Sequence, residues 1–381
     1  MGEGRSLRLR LFSDVTSRVA DPFLARAASL AETARGATAP NPLVGCVIVR
    51  DGVAIGEGFH HRAGEPHAEV LALQAAGAAA RGADVYVTLE PCAHIGKTPP
   101  CAEALIAAGV ARVVIGMADP NPEAGGGAAK LRAAGIAVEF AEDPAPFEEL
   151  NAGWLHRIRT GRALVTVKLG LSLDARLAFA SGKRASITGS AGSVVAQRLR
   201  AASDAVLVSA ATVIADDPAL TVRDSKGRLA DRQPLRVVLV RDHVPQAEAR
   251  VFTDEAAPTL VLAVGSQQGT CEFIPASVDV HECSGSPLAD AFIALAERGV
   301  GELLVEPGPR LFSALWTEGL VDRLVVVTAG GVAGDAGPAL FLGDAQRDGD
   351  ALVRHMTPVE AGIVEDVSVT VWQALPAVGE E

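Results

Sequence analysis

Helical and extended hydrophobic patterns alternate along this chain in two successive series. In the first, residues 43–49 and 53–59 are apolar runs flanking Asp51-Gly52, a two-residue hairpin signal. Residues 68–80 are rich in Ala and Leu and read as a helix. At 84–89, Val85, Val87 and Leu89 alternate with Tyr86 and Thr88, which predicts a strand. A helix over 101–108 stopped by Gly109, a strand over 112–116, a helix closing at 131–135 and a strand over 136–140 continue the series. Residues 1–20 read as an N-terminal extension. The first helical pattern starts at Asp21-Pro22, since Pro suits a helix start.

Composition shifts at 142–146, and a helical pattern over 147–159 leads through Thr160-Gly161-Arg162 into a β-rich series opening at 163–169. Strands are expected near 205–209, 236–240, 259–263, 302–305, 324–328 and 367–372. Helices are expected near 190–202, 288–298 and 309–318. Strands alternating with helices predict α/β sheets covered on both faces. The chain therefore divides into an extension at 1–20, a first domain at 21–160 and a second at 161–381. No repeat of 20–50 residues is visible.

Composition narrows the class. Hydrophobic residues make up 49% of the 381, as in folded globular proteins. Lys and Arg number 34 against 46 Asp and Glu, a formal charge of −12, which argues against a general nucleic-acid binder but leaves room for a local basic pocket. Five cysteines in so long a chain are no disulfide framework. Cys46, Cys271 and Cys283 are scattered and read as core or loop residues. The start lacks the apolar run of a signal peptide, and no stretch of about 20 uncharged apolar residues appears. A cytoplasmic enzyme is the expectation.

The chemistry concentrates in the first half. Hydrolytic removal of an aromatic amine at neutral pH needs an activated water and a proton route to the departing ammonia. A zinc ion (Zn2+) with three protein ligands keeps a fourth position for that water. His67-Ala68-Glu69 offers a ligand and, two residues on, a carboxylate to shuttle the proton. Leu89-Glu90-Pro91-Cys92 places a thiolate where a strand gives way to a loop, and Cys101 stands at the next helix start, where the thiolate form is favoured. His67, Cys92 and Cys101 are thus the candidate metal ligands and Glu69 the catalytic residue. Zinc deaminases show H-x-E followed by P-C-x-x-C. Here eight residues, Ala93 to Pro100, separate the cysteines, so the loop must fold back for both sulfurs to reach one metal. One His-x-Glu is common by chance and two cysteines can be core; in this order and on these elements the combination is specific. Gly96-Lys97-Thr98 is not a P-loop end, because Pro91 occupies the required glycine position, and His61 disqualifies Gly56-x-Gly58 as a dinucleotide fingerprint.

The first half also carries Pro40-Asn41-Pro42-x-Val44-Gly45, Gly58-Phe59-His60, Gly64 through Val70, and Thr88 through Cys101. Asp119-Pro120-Asn121-Pro122, Lys168-Leu169-x-x-Ser172-Leu173-Asp174, Leu199-Arg200-Ala201, Thr212 through Arg223, and Val305-Glu306-x-Gly308 follow. In these motifs, from about Asp21 onward, the sequence resembles the bifunctional riboflavin-biosynthesis deaminase/reductase family. The resemblance implies a cytidine-deaminase-like three-layer α/β domain followed by a dihydrofolate-reductase-like domain. It implies hydrolysis of the 2-amino group of 2,5-diamino-6-(5-phosphoribosylamino)pyrimidin-4(3H)-one, then NADPH reduction of the ribosyl group to ribityl, in a homo-oligomer. Asn41, His60, His94 and Lys97 match deaminase substrate positions; Arg200, Leu220, Arg223 and Glu306 match reductase substrate positions; Thr212, Asp216, Gly308 and Ser186 match cofactor positions. Asn41 and the histidines suit a pyrimidine edge, and Lys97 and the arginines suit a phosphate. More ordinary roles are a turn residue for Asn41, loop exposure for the histidines and a solvated helix face for the arginines.

The second half departs from the family pattern. Ala175 replaces a glycine, Ser186 a tryptophan and Pro307 a small residue, while Arg184 stands where a small polar residue is common. Losing the Trp removes an aromatic surface worth about 1 kcal/mol or more, which Arg184 would offset by binding a cofactor phosphate. These departures keep open a pyrimidine deaminase with a degenerate or repurposed second domain. A nucleic-acid base deaminase sharing the zinc core is a second alternative, against which the −12 charge weighs. A purely structural zinc site leaves Glu69 unexplained.

Overall fold

The computed structural model describes residues 15–94, 100–122, 124–178, 187–241, 243–265, 274–283, 288–340 and 355–374. It separates into two compact units, one ending at Gly161 and the other running from Arg162.

The first unit contains α1 (Pro22–Glu32), β1 (Gly45–Arg50), β2 (Val53–Phe59), α2 (Ala68–Ala76), β3 (Asp84–Leu89), α3 (Cys101–Ala108), β4 (Arg112–Met117), α4 (Gly127–Ala133), β5 (Ala137–Phe140), α5 (Ala145–Leu150) and α6 (Ala152–Thr160). Its sheet order is β2-β1-β3-β4-β5, with β1 antiparallel to both β2 and β3, and β3, β4 and β5 parallel. Alternation along β1 sends Cys46 and Ile48 to a core with Ala68 and Ala72 of α2, Leu105 of α3 and Leu131 of α4. Val47 and Val49 go to the opposite core, with Ala27 and Ala31 of α1, Phe147 of α5 and Leu155 of α6. Three layers result, as expected. Val15 also enters the second core, so the end of the expected N-terminal extension is packed rather than peripheral. Asp21 caps α1 by accepting the Phe23 and Leu24 N–H groups. Gly56 and Gly58 let β2 lie flush against α2: a Cβ at Gly58 would meet the Ala68 carbonyl oxygen at 2.5 Å, and one at Gly56 the Ala72 oxygen at 2.4 Å.

The expected helix over 147–159 is two helices. Asn151, between α5 and α6, turns its side chain away from helix capping and onto Leu43, and the backbone departs from helical geometry there.

The second unit contains β6 (Leu164–Leu171), α7 (Gly189–Ala202), β7 (Ala205–Ser209), α8 (Ala210–Asp216), β8 (Leu235–Val240), α9 (Arg250–Thr253), β9 (Thr259–Val264), β10 (Asp279–Cys283), α10 (Leu288–Glu297), β11 (Glu302–Val305), α11 (Pro309–Thr317), β12 (Arg323–Ala329), β13 (Met356–Val364) and β14 (Val367–Ala374). The sheet runs β10-β9-β8-β7-β11-β6-β12-β14-β13, parallel from β10 to β12 and antiparallel through β14 and β13. Its central strands are apolar on both faces, and α10 and α11 supply Phe292, Leu295, Phe312 and Leu315 to the core on one of them. Four elements escape the sequence pattern. The edge strand β10 is Asp-Val-His-Glu-Cys, with no apolar run, and the edge strand β13 contains Pro358 and Gly362. The other two, α8 and α9, are too short for a helical period to show.

After β6, Ser172 to Arg176 form a tight turn in which the Ala175 N–H donates to the Ser172 carbonyl. Asp174 accepts the Ala333 and Gly334 N–H groups, tying this turn to the segment after β12. Ala175 takes φ +58° there, a left-handed conformation that suits the glycine found at this position in the family pattern. Ala175→Gly is expected to raise unfolding stability by about 0.5–1 kcal/mol, read as a higher urea midpoint at unchanged slope.

Candidate functional sites

Each expected metal ligand sits where one element gives way to another. His67 precedes the first residue of α2, Cys92 follows β3, and Cys101 opens α3. His67 Nδ1 lies 3.1 Å from Cys101 Sγ and 3.7 Å from Cys92 Sγ, and the three ligand atoms all fall within 4.8 Å of one another. Tetrahedral zinc with bonds of about 2.0–2.3 Å separates nitrogen from sulfur by about 3.6 Å, so the donors are spaced for that ion. The Cys101 N–H donates to Cys92 Sγ at 3.3 Å, as helix N-termini do toward anions.

The electrostatics agree with the spacing. Hydrogen bonding with Cys101 draws the Cys92 thiol down to about 4, against burial and with help from His67. The Cys101 thiol is raised, first by sharing its proton with Cys92, then by burial and by Glu69. His67 is raised chiefly by its bond to Cys92. Two sulfurs sharing one proton is the condition a soft cation relieves.

Glu69 stands on the first turn of α2 with only 3% exposure. Burial raises its carboxyl above the ordinary value. Its Oε2 is buried and has no hydrogen-bond partner among the described residues. Buried carboxylate oxygens are normally satisfied.

Beside the triad, Asn41 Nδ2 lies 3.0 Å from His60 Nε2, and His60 Nδ1 is 3.2 Å from the Pro66 carbonyl. A neutral imidazole donating to Pro66 and accepting from Asn41 satisfies both contacts, and burial holds His60 below its usual value in keeping with that. The His60 and His67 rings meet edge to face at 5.4 Å. Both ring nitrogens of His60 are therefore engaged by the protein. His94 is exposed after β3, and Lys97 lies outside the described residues.

In the second unit, Arg200 and Glu306 pair through two bonds of 2.6 and 2.9 Å although 106 residues apart. Burial alone would raise Glu306, but Arg200 and Lys168 hold it below its usual value. Lys168 is lowered by burial, which Glu306 opposes and Arg200 reinforces. Lys168 went unassigned in the sequence; the available signal was one cation inside the apolar strand β6. The Arg200 guanidinium also reaches the Thr221 carbonyl at 3.5 Å, and Gln197, one turn earlier, accepts the Arg223 N–H at 2.7 Å. The segment carrying buried Leu220, at φ +53°, and exposed Arg223 is thus laced to α7. The Arg223 guanidinium donates to the Gly227 carbonyl.

Thr212 and Asp216 lie on α8, directly after β7, and Gly308 precedes α11 after β11. Strands β7 and β11 are parallel neighbours, so both helices begin at one edge of the sheet, where open α/β folds bind ligands. A Cβ at Gly308 would meet nothing within 4 Å, so open space lies beside the start of α11. Ser186 and Arg184 lie outside the described residues.

Two family descriptions match the chain: a cytidine and deoxycytidylate deaminase zinc-binding region over residues 18–117, and a RibD C-terminal domain over residues 163–362. The riboflavin biosynthesis protein RibD of Escherichia coli is 42% identical over 353 residues, covering 88% of this chain and 96% of that protein. The Aquifex aeolicus RibD is 40% identical over 323 residues, covering 84% and 89%. Among solved structures, Acinetobacter baumannii RibD matches with a TM-score of 0.82 at 36% identity, over 96% of this chain and 100% of that one. A Thermotoga maritima diaminohydroxyphosphoribosylaminopyrimidine deaminase/5-amino-6-(5-phosphoribosylamino)uracil reductase matches with 0.82 at 31% identity, over 95% and 99%.

Purified protein is expected to hold one zinc ion per chain by elemental analysis, and Cys101→Ala to lose it. Binding displaces the proton that Cys101 keeps in the metal-free site. Apparent zinc affinity, measured by chelator competition, should therefore fall about tenfold or more per unit as pH drops from 8 to 6.

Proposed function

The chain belongs to the bifunctional riboflavin-biosynthesis deaminase/reductase family, and from that premise we propose how its residues divide the work. It is a zinc-dependent pyrimidine deaminase joined to an NADPH-dependent reductase. Hydrolysis of the 2-amino group of 2,5-diamino-6-(5-phosphoribosylamino)pyrimidin-4(3H)-one comes first, and reduction of the ribosyl group to ribityl follows.

The observation that carries the deaminase assignment is the buried, unpartnered Glu69 Oε2 beside the one-nitrogen, two-sulfur donor set. His67, Cys92 and Cys101 would hold the zinc, which when bound would supply the Lewis acidity for activating water. Glu69 takes the water's proton and passes it to the departing amine. Burial raises this carboxyl, which makes its carboxylate a stronger base toward the water and lets it carry the proton near neutral pH until the departing amine takes it. Asn41 keeps one N–H and its carbonyl oxygen for the pyrimidine edge after bonding His60. His60 acts by orienting Asn41. His94 and Lys97 are assigned to the substrate side, Lys97 to the phosphate.

In the reductase unit the hydride comes from the cofactor, so the protein positions and polarises. Thr212, Asp216, Gly308 and Ser186 are the proposed NADPH contacts. Arg200, Leu220, Arg223 and Glu306 are the substrate contacts. Because Arg200 is committed to Glu306, the exposed Arg223 is the better placed of the two for a phosphate. A homo-oligomeric, cytoplasmic enzyme without a nucleic-acid partner completes the proposal, the last point supported by the net charge of −12.

Incubation with the diaminopyrimidine substrate and NADPH should release ammonia and then consume NADPH. Ammonia release without NADPH oxidation would overturn the reductase assignment. Glu69→Gln should slow ammonia release by about 10²–10⁴-fold while leaving zinc content and reduction of the preformed deaminated intermediate intact. Arg200→Met leaves Glu306 facing Lys168 alone and should lower the reductase kcat/KM by about tenfold or more, with deamination unchanged.

A further inference from the structure

Asn41 rides on a loop that lacks two of its three backbone donors. Pro40 and Pro42 have no N–H to donate, so residues 40–42 cannot extend the ladder of β1. Leu43 is buried with a backbone N–H and C=O that need partners. Asn151 supplies both: its Oδ1 accepts the Leu43 N–H at 2.7 Å and its Nδ2 donates to the Leu43 carbonyl at 3.0 Å. A side-chain amide here replaces the neighbouring strand's peptide group. One helical face further on, Arg157 Nη2 donates to the Pro40 carbonyl at 2.7 Å. Asn41 is thereby bracketed, on one side by Arg157 and on the other by Asn151. The Asn41 N–H closes a turn onto the Thr38 carbonyl at 2.9 Å, and the Val44 carbonyl accepts the His60 N–H at 2.9 Å. The same loop thus fixes both members of the Asn41–His60 contact.

We propose that Asn151, between α5 and α6, and Arg157, within α6, are positioning residues of the deaminase. They hold residues 40–43 so that Asn41 meets His60 and keeps its remaining polar atoms set for the pyrimidine. This rests on the reading of Asn41 as a substrate contact. Asn151 and Arg157 both lie beyond the segment matching the deaminase zinc-binding region. Loss of either hydrogen-bonding group lets the loop drift, which weakens a contact made equally to bound substrate and to the reacting state. The expected signature is a raised KM at nearly constant kcat.

The test is steady-state ammonia release by the full-length zinc-loaded protein. Asn151→Asp keeps the acceptor for the Leu43 N–H and removes the donor to its carbonyl. Arg157→Ala removes the bond to the Pro40 carbonyl. Each should raise the deaminase KM about five- to tenfold, with kcat within about twofold and zinc content at one per chain. Arg157→Lys, which retains a donor, should recover most of the loss. In an Asn41→Ala background neither change should add to the KM already raised. Unchanged KM in both single variants, additive effects in the Asn41→Ala background, or loss of zinc would each overturn the proposal. If Asn151→Asp fails to fold, Arg157→Ala and Arg157→Lys decide alone. An Asn41→Ala variant with wild-type KM would instead overturn the reading of Asn41.

Discussion

Two sulfurs and an imidazole nitrogen gathered within 4.8 Å cannot all be in their metal-ligating forms without a cation between them. Much of the first unit serves to make that gathering possible. Strand β3 delivers Cys92 at its C-terminal end, where the parallel neighbour β4 leaves room for a loop. The start of α3 turns an N–H toward the Cys92 sulfur, and the start of α2 brings His67 alongside. Glu90, two residues before Cys92, accepts the Asp119, Gly126 and Ala128 N–H groups, locking the adjoining loop behind the ligand. Each of these contacts is ordinary, and together they force unlike donors into one small volume.

The second unit applies the same principle with opposite chemistry. Arg200, Glu306 and Lys168 form a crowded group with one more cation than anion, in place of thiolates awaiting a metal. Glu306 is kept ionised by its neighbours against the pull of burial, and Lys168 gives up part of its basicity. Such groups are expensive to bury and persist where a reaction needs a fixed field rather than where a core needs stability.

The metal set was legible because its grammar is local: His67 and Glu69 are two residues apart on a helix start, and each cysteine marks the end or beginning of an element. Strand β3 and helix α3 were readable to the residue, the first through its apolar alternation and the second through Gly109 in a left-handed conformation at its end. Edge strands β10 and β13 were not, since a strand paired on one side has little need of apolar side chains. The Arg200–Glu306 pair joins residues 106 apart and has no local signature. Asn151 was hidden for a related reason: in the sequence it is one polar residue in a helical run, and only the fold shows which backbone it serves.

The flush seating of α2 on Gly56 and Gly58 has a consequence of its own. The height of His67 above the sheet is set by two missing methyl groups, because any side chain at either glycine must lift the helix that His67 introduces. Relieving a 2.5 Å approach takes a displacement of about an ångström, which a small-residue interface absorbs more readily than a metal bond does. An alanine at either position would leave every catalytic group in the chain and change where His67 stands relative to the two sulfurs.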